Sequence, residues 1–289
     1  MTDFVRVGII GAGGAARAIH APGFRLYPGV GIAAVCDSDA AAADALASEL
    51  GAQVHTRYDQ LLARGDVDAV VIATPNHLHR EVALAAFDAG KHVLCEKPLA
   101  LDRRQAEDML RAAEASGRVH MTAFTYRFVP ALQYIRSLIE RGELGTIRTV
   151  RAAYLMALSR HLLGWRSSRK FAGSGVLADV GSHLIHMVQL LAGGLKEVCA
   201  SKRRFREDPA SDVDDWIAFL AGFESGACGT FEISRVCAGR GAAITEEIFI
   251  EVYGSGGTAL FSLQDPWGVR LVTGQAADDP ACVIERRDV

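Results

Sequence analysis

An α/β fold in two parts is predicted: a doubly wound parallel sheet over 1–123, then an α+β domain built on an open, mostly antiparallel sheet over 124–289. Three observations carry the prediction. The chain opens on VRVGIIGAGGAAR at 5–17, an apolar run followed by a glycine turn and a helix start. Apolar strands and helical stretches then alternate to about residue 123 without internal repeats, the pattern of a parallel sheet with crossover helices. Beyond it, long segments of strand character dominate with few helices, the pattern of an antiparallel sheet.

Gly11, Gly13 and Ala16 fill the G-x-G-x-x-G/A spacing. The first glycine permits a tight turn, the second lets backbone approach a pyrophosphate, and a small third residue lets helix pack on strand. N–H groups at the helix start, around Ala12, Gly13, Gly14 and Ala15, suit an anion together with the positive end of the helix dipole. A second buried strand, 31–36, ends in Asp37, an acid placed to accept both hydroxyls of an adenosine ribose and to repel a 2′-phosphate. Asp37 lies 26 positions after Gly11, beyond the typical spacing of about 20, because the loop Tyr27-Pro28-Gly29 follows the first helix. The alternative is an Asp that only caps the next helix. No Arg or Lys stands among Ser38, Asp39 and the alanines that follow, so NAD is favoured, with NADP as the alternative.

The alanine-rich helix 39–50 stops at Gly51, a C-terminal glycine. A short strand at 54–58 runs into a short helix at Tyr58–Leu62. The continuous apolar run 67–73 reads as a central strand, which delivers Thr74, Pro75, Asn76 and His77 to the carboxyl edge of the sheet, where ligands bind. His79 starts a helix through Ala89, closed by Gly90. The strand His92–Cys95 then brings Glu96, Lys97 and Pro98 to the same edge. A helix at Arg103–Ser116 and a strand at 119–124 complete the first domain.

In the second domain a helix runs from Pro130 through Arg141, followed by strands at 146–157, 196–205, 213–223, 227–236 and 247–253. Glu224-Ser225-Gly226 joins the third and fourth as a hairpin. One helix, 182–191, interrupts them and is stopped by Gly193-Gly194, while Arg240-Gly241 is expected as a mobile surface loop.

With 289 residues, 50% of them hydrophobic, the chain can bury a large core, and the length fits two domains of roughly 100 to 200 residues. A net charge of −3 argues against a nucleic-acid scaffold or a polybasic membrane anchor, which need a concentrated cationic face. No apolar run approaches the roughly 18 residues needed to span a bilayer. The start, with Asp3 and an immediate strand, lacks the cationic segment and cleavage site of a signal peptide. The six cysteines are scattered without C-x-x-C and are expected as buried, reduced thiols of a cytoplasmic protein.

Lys97 is the first catalytic candidate, a strand-end lysine whose ammonium can polarise a substrate oxygen. To act as a base at neutral pH it needs its pKa lowered from about 10.4 by burial or a neighbouring cation. Asp179 and His183 stand four apart and share one side of a helix beginning near Asp179 or Ser182. The helix start favours carboxylate over imidazolium, which suits His183 as a neutral proton acceptor oriented by Asp179. A capping Asp with a structural His fits the spacing equally. His186 extends this face into an Asp-His-His half-site for zinc, but hydride transfer with a lysine needs no Lewis acid, and no metal is expected. Trp165, Arg166 and Arg169 either cap the pocket, contact phosphate or form a solvated face.

The chain resembles the glucose-fructose oxidoreductase and inositol dehydrogenase (Gfo/Idh/MocA) family over nearly its whole length. The matching stretches are GIIGAGGAAR, ATPNHLH at 73–79, GKHVLCEKPLA at 90–100, YRFVP at 126–130, and WR followed by GSGVLADVGSH from Trp165 to His183. The resemblance implies a Rossmann domain, a second domain whose open sheet forms a homodimer or homotetramer interface, NAD or NADP as hydride carrier, and a sugar or polyol substrate. By it, Lys97 matches the catalytic lysine, with a cis bond to Pro98. Asp179 and His183 match the pair that assists proton transfer, and Asp37 matches the ribose acid. Thr74, Pro75, Asn76, His79 and Glu96 join the glycine loop in the cofactor set; Tyr126, Arg127, Trp165, Arg166 and His186 join the catalytic residues in the substrate set. Three departures are noted: His186 stands where many members have Asp, Ser174 replaces the middle glycine of G-G-G, and relatives usually continue past a point equivalent to Val289 through a strand and a closing helix. The expectation is an NAD(P)-dependent oxidoreductase acting on a secondary alcohol, with no nucleic-acid or membrane partner. An NAD-recycling glycosidase and a non-catalytic dinucleotide-binding regulator are the alternatives.

Overall fold

Six parallel strands build the first sheet: β1 (Val5–Ile10), β2 (Val30–Cys36), β3 (Gln53–His55), β4 (Ala69–Ile72), β5 (His92–Cys95) and β6 (His120–Thr122). Their order is β3-β2-β1-β4-β5-β6. The direction of strand addition reverses between β1 and β4, so the switch point, where such sheets bind ligands, lies beyond the carboxyl ends of these two strands. The central strands β1, β2, β4 and β5 are largely apolar because both faces are covered, whereas the edge strands β3 and β6 are partly polar and exposed. Ile9 and Val35 pack into one core cluster with Leu46 and Ala47, while Ile10, Ala34 and Cys36 pack into another with Val70 and Ile72.

The connecting helices are α1 (Ala21–Arg25), α2 (Ala40–Leu50), α3 (Tyr58–Leu62), α4 (Asn76–Asp88) and α5 (Arg103–Ser116). A π-helical stretch, Ala16–His20, precedes α1 without a break. Asp39 caps α2 by accepting hydrogen bonds from the Ala41 and Ala42 amides, a cap of about 1 kcal/mol, and Gly51 ends it in the left-handed region at φ 65°. α4 begins at Asn76, three residues before the expected His79. Proline bars only the preceding Thr74 from helical backbone, so the helix starts directly after Pro75.

The structure, a computed structural model, describes residues 4–158, 164–238, 247–273 and 283–289. It divides the chain into two units: the residues up to Ala123 with Lys170–Gly173, and Phe124–Arg169 with Ser174–Val289. The return of Lys170–Gly173 to the first unit departs from a single cut after 123. Asn76 Nδ2 donates to the Ala172 carbonyl at 3.1 Å, and the His77 and Phe171 rings lie 4.8 Å apart, so side chains far away in sequence fasten this segment.

The second unit is an eight-stranded mixed sheet: β7 (Ile147–Leu155), β8 (Leu195–Arg203), β9 (Trp216–Phe223), β10 (Cys228–Ser234), β11 (Glu247–Gly254), β12 (Gly257–Ser262), β13 (Gly268–Thr273) and β14 (Val283–Asp288). The order is β14-β13-β12-β11-β7-β10-β9-β8, antiparallel except for the parallel pair β7–β10. Period-two alternation sends Ile217, Phe219, Phe231, Ile233 and Val150 into one core with α6 (Pro130–Glu140) and, beyond the short α7 (Arg169–Ala172), α8 (Ser182–Ala192). The opposite row, Leu220 to Thr230 to Arg151, is exposed.

Several expectations need correction. Strands β12 to β14 were not foreseen, because these short, glycine-bounded segments become strands through pairing outward from β11. The strand expected from 213 starts at Trp216; the Asp214 backbone carbonyl turns instead to accept from the Val176 amide. Cys199 and Cys228 are exposed rather than buried, and Cys36 and Cys95 are buried. The helical span Arg169–Ala192, with mean hydropathy 1.3, is long and apolar enough to cross a bilayer, whereas no such run was read in the sequence; 56% of its apolar window is buried inside the protein, as in a core helix. Arg240-Gly241 lies outside the described residues.

Candidate active site

At the switch point Gly11 has φ +100°, and a Cβ there would lie 2.5 Å from the Ala73 carbonyl oxygen and 2.8 Å from the Thr74 nitrogen. Only glycine fits, because the turn is left-handed and β4 leaves no room. Gly13 and Gly14 differ: a Cβ at either meets nothing within 4 Å. The protein's own packing does not require glycine there, whereas a ligand pressed on the backbone would. Ala16 is fully buried, as the small third position of the motif demands.

Asp37, beyond β2, accepts from the Ala12 amide at 2.7 Å through Oδ2 and from the Asp39 amide at 2.9 Å through Oδ1. It is therefore not the cap of α2; Asp39 is. The Ala12 N–H, expected at the anion, is committed to Asp37. A carboxylate has about four acceptor sites, so Asp37 keeps capacity for ribose hydroxyls.

At the end of β4 the Thr74 Oγ1 and His77 Nδ1 atoms are buried without a hydrogen-bond partner among the described residues. His77, expected with Thr74 at the ligand edge of the sheet, also has its ring 4.8 Å from that of the distant Phe171. Asn76 is 5% exposed and spends its side-chain amide on Ala172. His79, expected at the cofactor, is fully buried with its ring nitrogens 3.0 Å from the Pro98 and Thr74 carbonyl oxygens. It lies between the β4 and β5 turns and, with the single N–H of a neutral ring, donates to one of these two carbonyls. Burial lowers its pKa, outweighing the carbonyls that raise it, so the ring is neutral.

At the end of β5, Glu96 is buried with Oε1 2.8 Å from His20 Nε2, and Oε2 accepts from the Lys97 amide at 3.1 Å. Burial pushes the Glu96 carboxyl up, but the His20 hydrogen bond and charge, with the Lys97 charge, outweigh it and hold the carboxyl below its ordinary value. The Lys97-Pro98 peptide is cis.

In the second unit the helix that carries Asp179 and His183 starts with a π-helical stretch, Leu177–Gly181, running into α8. Its N-terminus is held by Asp214, not by Asp179. The Asp214 carboxylate accepts from Ser174 Oγ at 2.6 Å and from the Gly175 and Leu177 amides at 3.0 Å each. Burial raises the Asp214 pKa, and these donors outweigh it, so it stays ionised below its ordinary value. Ser174, the departure from G-G-G, thus supplies a hydrogen bond. Gly175 is obligatory, because a Cβ there would fall 2.0 Å from the Asp214 carbonyl oxygen.

Asp179 pairs with Arg166, Nε to Oδ1 at 3.5 Å, and Arg166 stacks over Trp165 at 4.3 Å. The buried His183 ring lies 4.6 Å from the Tyr126 ring, and His186 stacks flat on Phe124 at 4.2 Å. Tyr126 OH lies 3.4 Å from Tyr154 OH. Burial, then the positive charge of Arg127, lowers the His186 pKa and keeps that ring neutral. Among the described residues no three His, Cys, Asp or Glu side chains are grouped to hold a metal. Phe124, Tyr154 and Asp214 were absent from the candidate set: the first two read as core residues, and Asp214 becomes recognisable only when its three donors converge.

A switch point with a glycine cradle and a ribose-type acid, in a chain that carries a second, open-sheet unit with a buried histidine, defines a class: dinucleotide-binding proteins with an appended mixed-sheet domain. Comparison narrows it. Residues 5–124 match the model of an oxidoreductase family with an NAD-binding Rossmann fold, and residues 132–260 match the GFO/IDH/MocA C-terminal domain. An oxidoreductase domain protein from Kribbella flavida superposes with TM-score 0.88 at 34% identity, covering 99% of this chain and 81% of that one. A levoglucosan dehydrogenase in complex with NADH and levoglucosan superposes with TM-score 0.90 at 29% identity, over 99% and 80%. The levoglucosan dehydrogenase of Pseudarthrobacter phenanthrenivorans is 36% identical over 223 residues, 69% of this chain; the match spans 56% of that protein. The chain belongs to the Gfo/Idh/MocA oxidoreductase family.

Proposed function

We propose that the protein is an NAD-dependent dehydrogenase or reductase acting on a secondary alcohol of a sugar or related polyol. The observation that carries this reading is the clamped Glu96-Lys97-Pro98 turn, which holds an amine at the carboxyl edge of a sheet whose switch point carries a glycine cradle. Open space at Gly13 and Gly14, the spare acceptors of Asp37, and the unmatched Thr74 and His77 atoms fit a dinucleotide. Solved relatives with NADH and a sugar support both the cofactor and the substrate class.

The residues divide the work as follows. The glycine loop holds pyrophosphate with its backbone N–H groups, and Asp37 accepts ribose hydroxyls and repels a 2′-phosphate, which favours NAD over NADP. Bound nicotinamide supplies the hydride acceptor. Lys97 Nζ donates a hydrogen bond to the substrate oxygen and stabilises developing negative charge. A ring nitrogen of His183 takes the hydroxyl proton, with Asp179, steadied by Arg166, stabilising the imidazolium. Tyr126, Trp165 and neutral His186 offer ring faces and polar edges of the kind that hold a sugar. The exposed row of the second sheet joins copies into a homodimer or homotetramer, and free Cys199 and Cys228 suit the reducing cytoplasm.

The test is NADH fluorescence of the purified protein given NAD and a panel of levoglucosan, inositols, aldoses and sugar acids. Net NADH formation with one of them is expected and names the substrate class. NADH that stays bound without net turnover favours an NAD-recycling glycosidase instead, and absence of dinucleotide binding overturns the reading.

A further inference from the structure

Buried Glu96 places Oε1 2.8 Å from Nε2 of His20, which lies on the helix that leaves the glycine cradle. Side-chain exposures of 5% for His20 and 11% for Glu96 make the pair interior, where a carboxylate needs a partner. Helix register decides the partner. His20 ends the π-helical stretch Ala16–His20, and π-helical turns account for well under 1% of residues and recur at functional sites. One residue more or fewer in a helix rotates every later side chain by about 100°, so an uninterrupted α-helix would aim His20 away from β5. The other Glu96 oxygen accepts from the Lys97 amide, and the next carbonyl but one, that of Pro98, meets His79 from α4. The lysine turn is held from both sides, by one histidine after the cradle and one after β4.

We propose that His20 is a positioning residue: through Glu96 it fixes the turn that carries Lys97 and ties it to the helix of the phosphate cradle. The inference rests on the reading that Lys97 acts on substrate. Without His20, the Glu96 carboxylate loses that hydrogen bond and turns toward the Lys97 ammonium, whose charge already acts on it. The amine is then displaced and held more tightly while the cradle itself remains.

The experiment compares wild type, His20→Phe and His20→Gln, the last retaining an N–H donor. Three quantities are read: acylation of Lys97 by a succinimidyl ester at pH 8, referenced to Lys196 by peptide mass spectrometry; the Kd for NADH; and kcat and KM on the sugar found to yield NADH. In His20→Phe, Lys97 labelling slows about fivefold or more and kcat falls about tenfold or more, with Kd for NADH changed less than about threefold, and His20→Gln recovers most of both losses. Unchanged or faster Lys97 labelling in folded His20→Phe overturns the proposal, as does equal loss in His20→Gln. Should His20→Phe not fold, His20→Leu, which also removes the donor and keeps the Glu96 carboxylate, is judged by the same labelling criterion. Labelling needs no sugar, so absence of turnover with every sugar counts against the proposed function and leaves this test standing.

Discussion

Lys97, His79 and Asp214 show three different uses of a polar side chain. Lys97 presents an amine from a clamped turn, so Lys97→Ala should lower turnover by about a hundredfold or more while NADH affinity, which the proposal gives to the glycine loop and Asp37, changes little. Stopped-flow turnover beside an NADH titration checks this; parallel loss of both would remove Lys97 from the reaction. His79 is buried and neutral, with its pKa held below its ordinary 6.5 by desolvation. The unfolded chain therefore binds a proton there that the folded chain refuses. The His79 contribution is fully present above pH 6.5 and is lost as pH falls from there toward the folded value. Thermal melts from pH 7.5 to 5.5 should show Tm falling with acidity, with a shallower slope in His79→Gln. Asp214 is the opposite kind of group, an ionised carboxylate kept below its ordinary 3.8 by three donors. Its contribution persists at neutral pH and is lost only as pH falls from about 3.8 through the folded value.

At the scale of elements, the two glycines of the cradle separate folding from binding. Gly11→Ala puts a methyl 2.5 Å from the Ala73 carbonyl oxygen on left-handed backbone, and should cost a few kcal/mol of stability. Gly13→Ala meets nothing within 4 Å, so its melting temperature should match wild type while NADH binding weakens about tenfold or more. Differential scanning fluorimetry with and without NADH distinguishes them; a destabilised Gly13→Ala with normal affinity would contradict this assignment. The glycine spacing and the acid after β2 were legible because a turn and a strand end are local events. The α8 region was half legible: the four-residue spacing of Asp179 and His183 is in the sequence, with a capping role for Asp179 left open, but Asp214, which holds the helix end, was not among the candidates. Asp214 follows Gly175 by 39 positions, and only folding brings its carboxylate to that helix end.

Across the whole molecule, the two sheets were foreseen in kind and only in part in extent. Hydrophobic runs and glycine stops marked the parallel strands one by one, whereas β12 to β14 are strands because β11 offers them an edge. The outward row of the second sheet carries Leu220 at 59% exposure beside Thr230 and Arg151, a surface suited to a second copy of the chain. Light scattering behind size exclusion should give a dimer or tetramer, and Leu220→Glu should shift it toward monomer; a monomer at micromolar concentration for the wild type would place the interface elsewhere or remove it.

By itself the sequence determined the class of each domain, the glycine turn with the acid after β2, and the Lys97, Asp179 and His183 candidates. These are written in short-range spacing, where a few residues set a turn, a strand end or one helix face. Tertiary structure alone decided that His20 reaches Glu96, that Asp214 rather than Asp179 holds the helix end, that Arg166 pairs with Asp179, and that His79 is buried between the Thr74 and Pro98 carbonyls. Each depends on groups far apart along the chain that meet in a buried place, where an unpaired charge or donor is costly and the folded packing selects the partner.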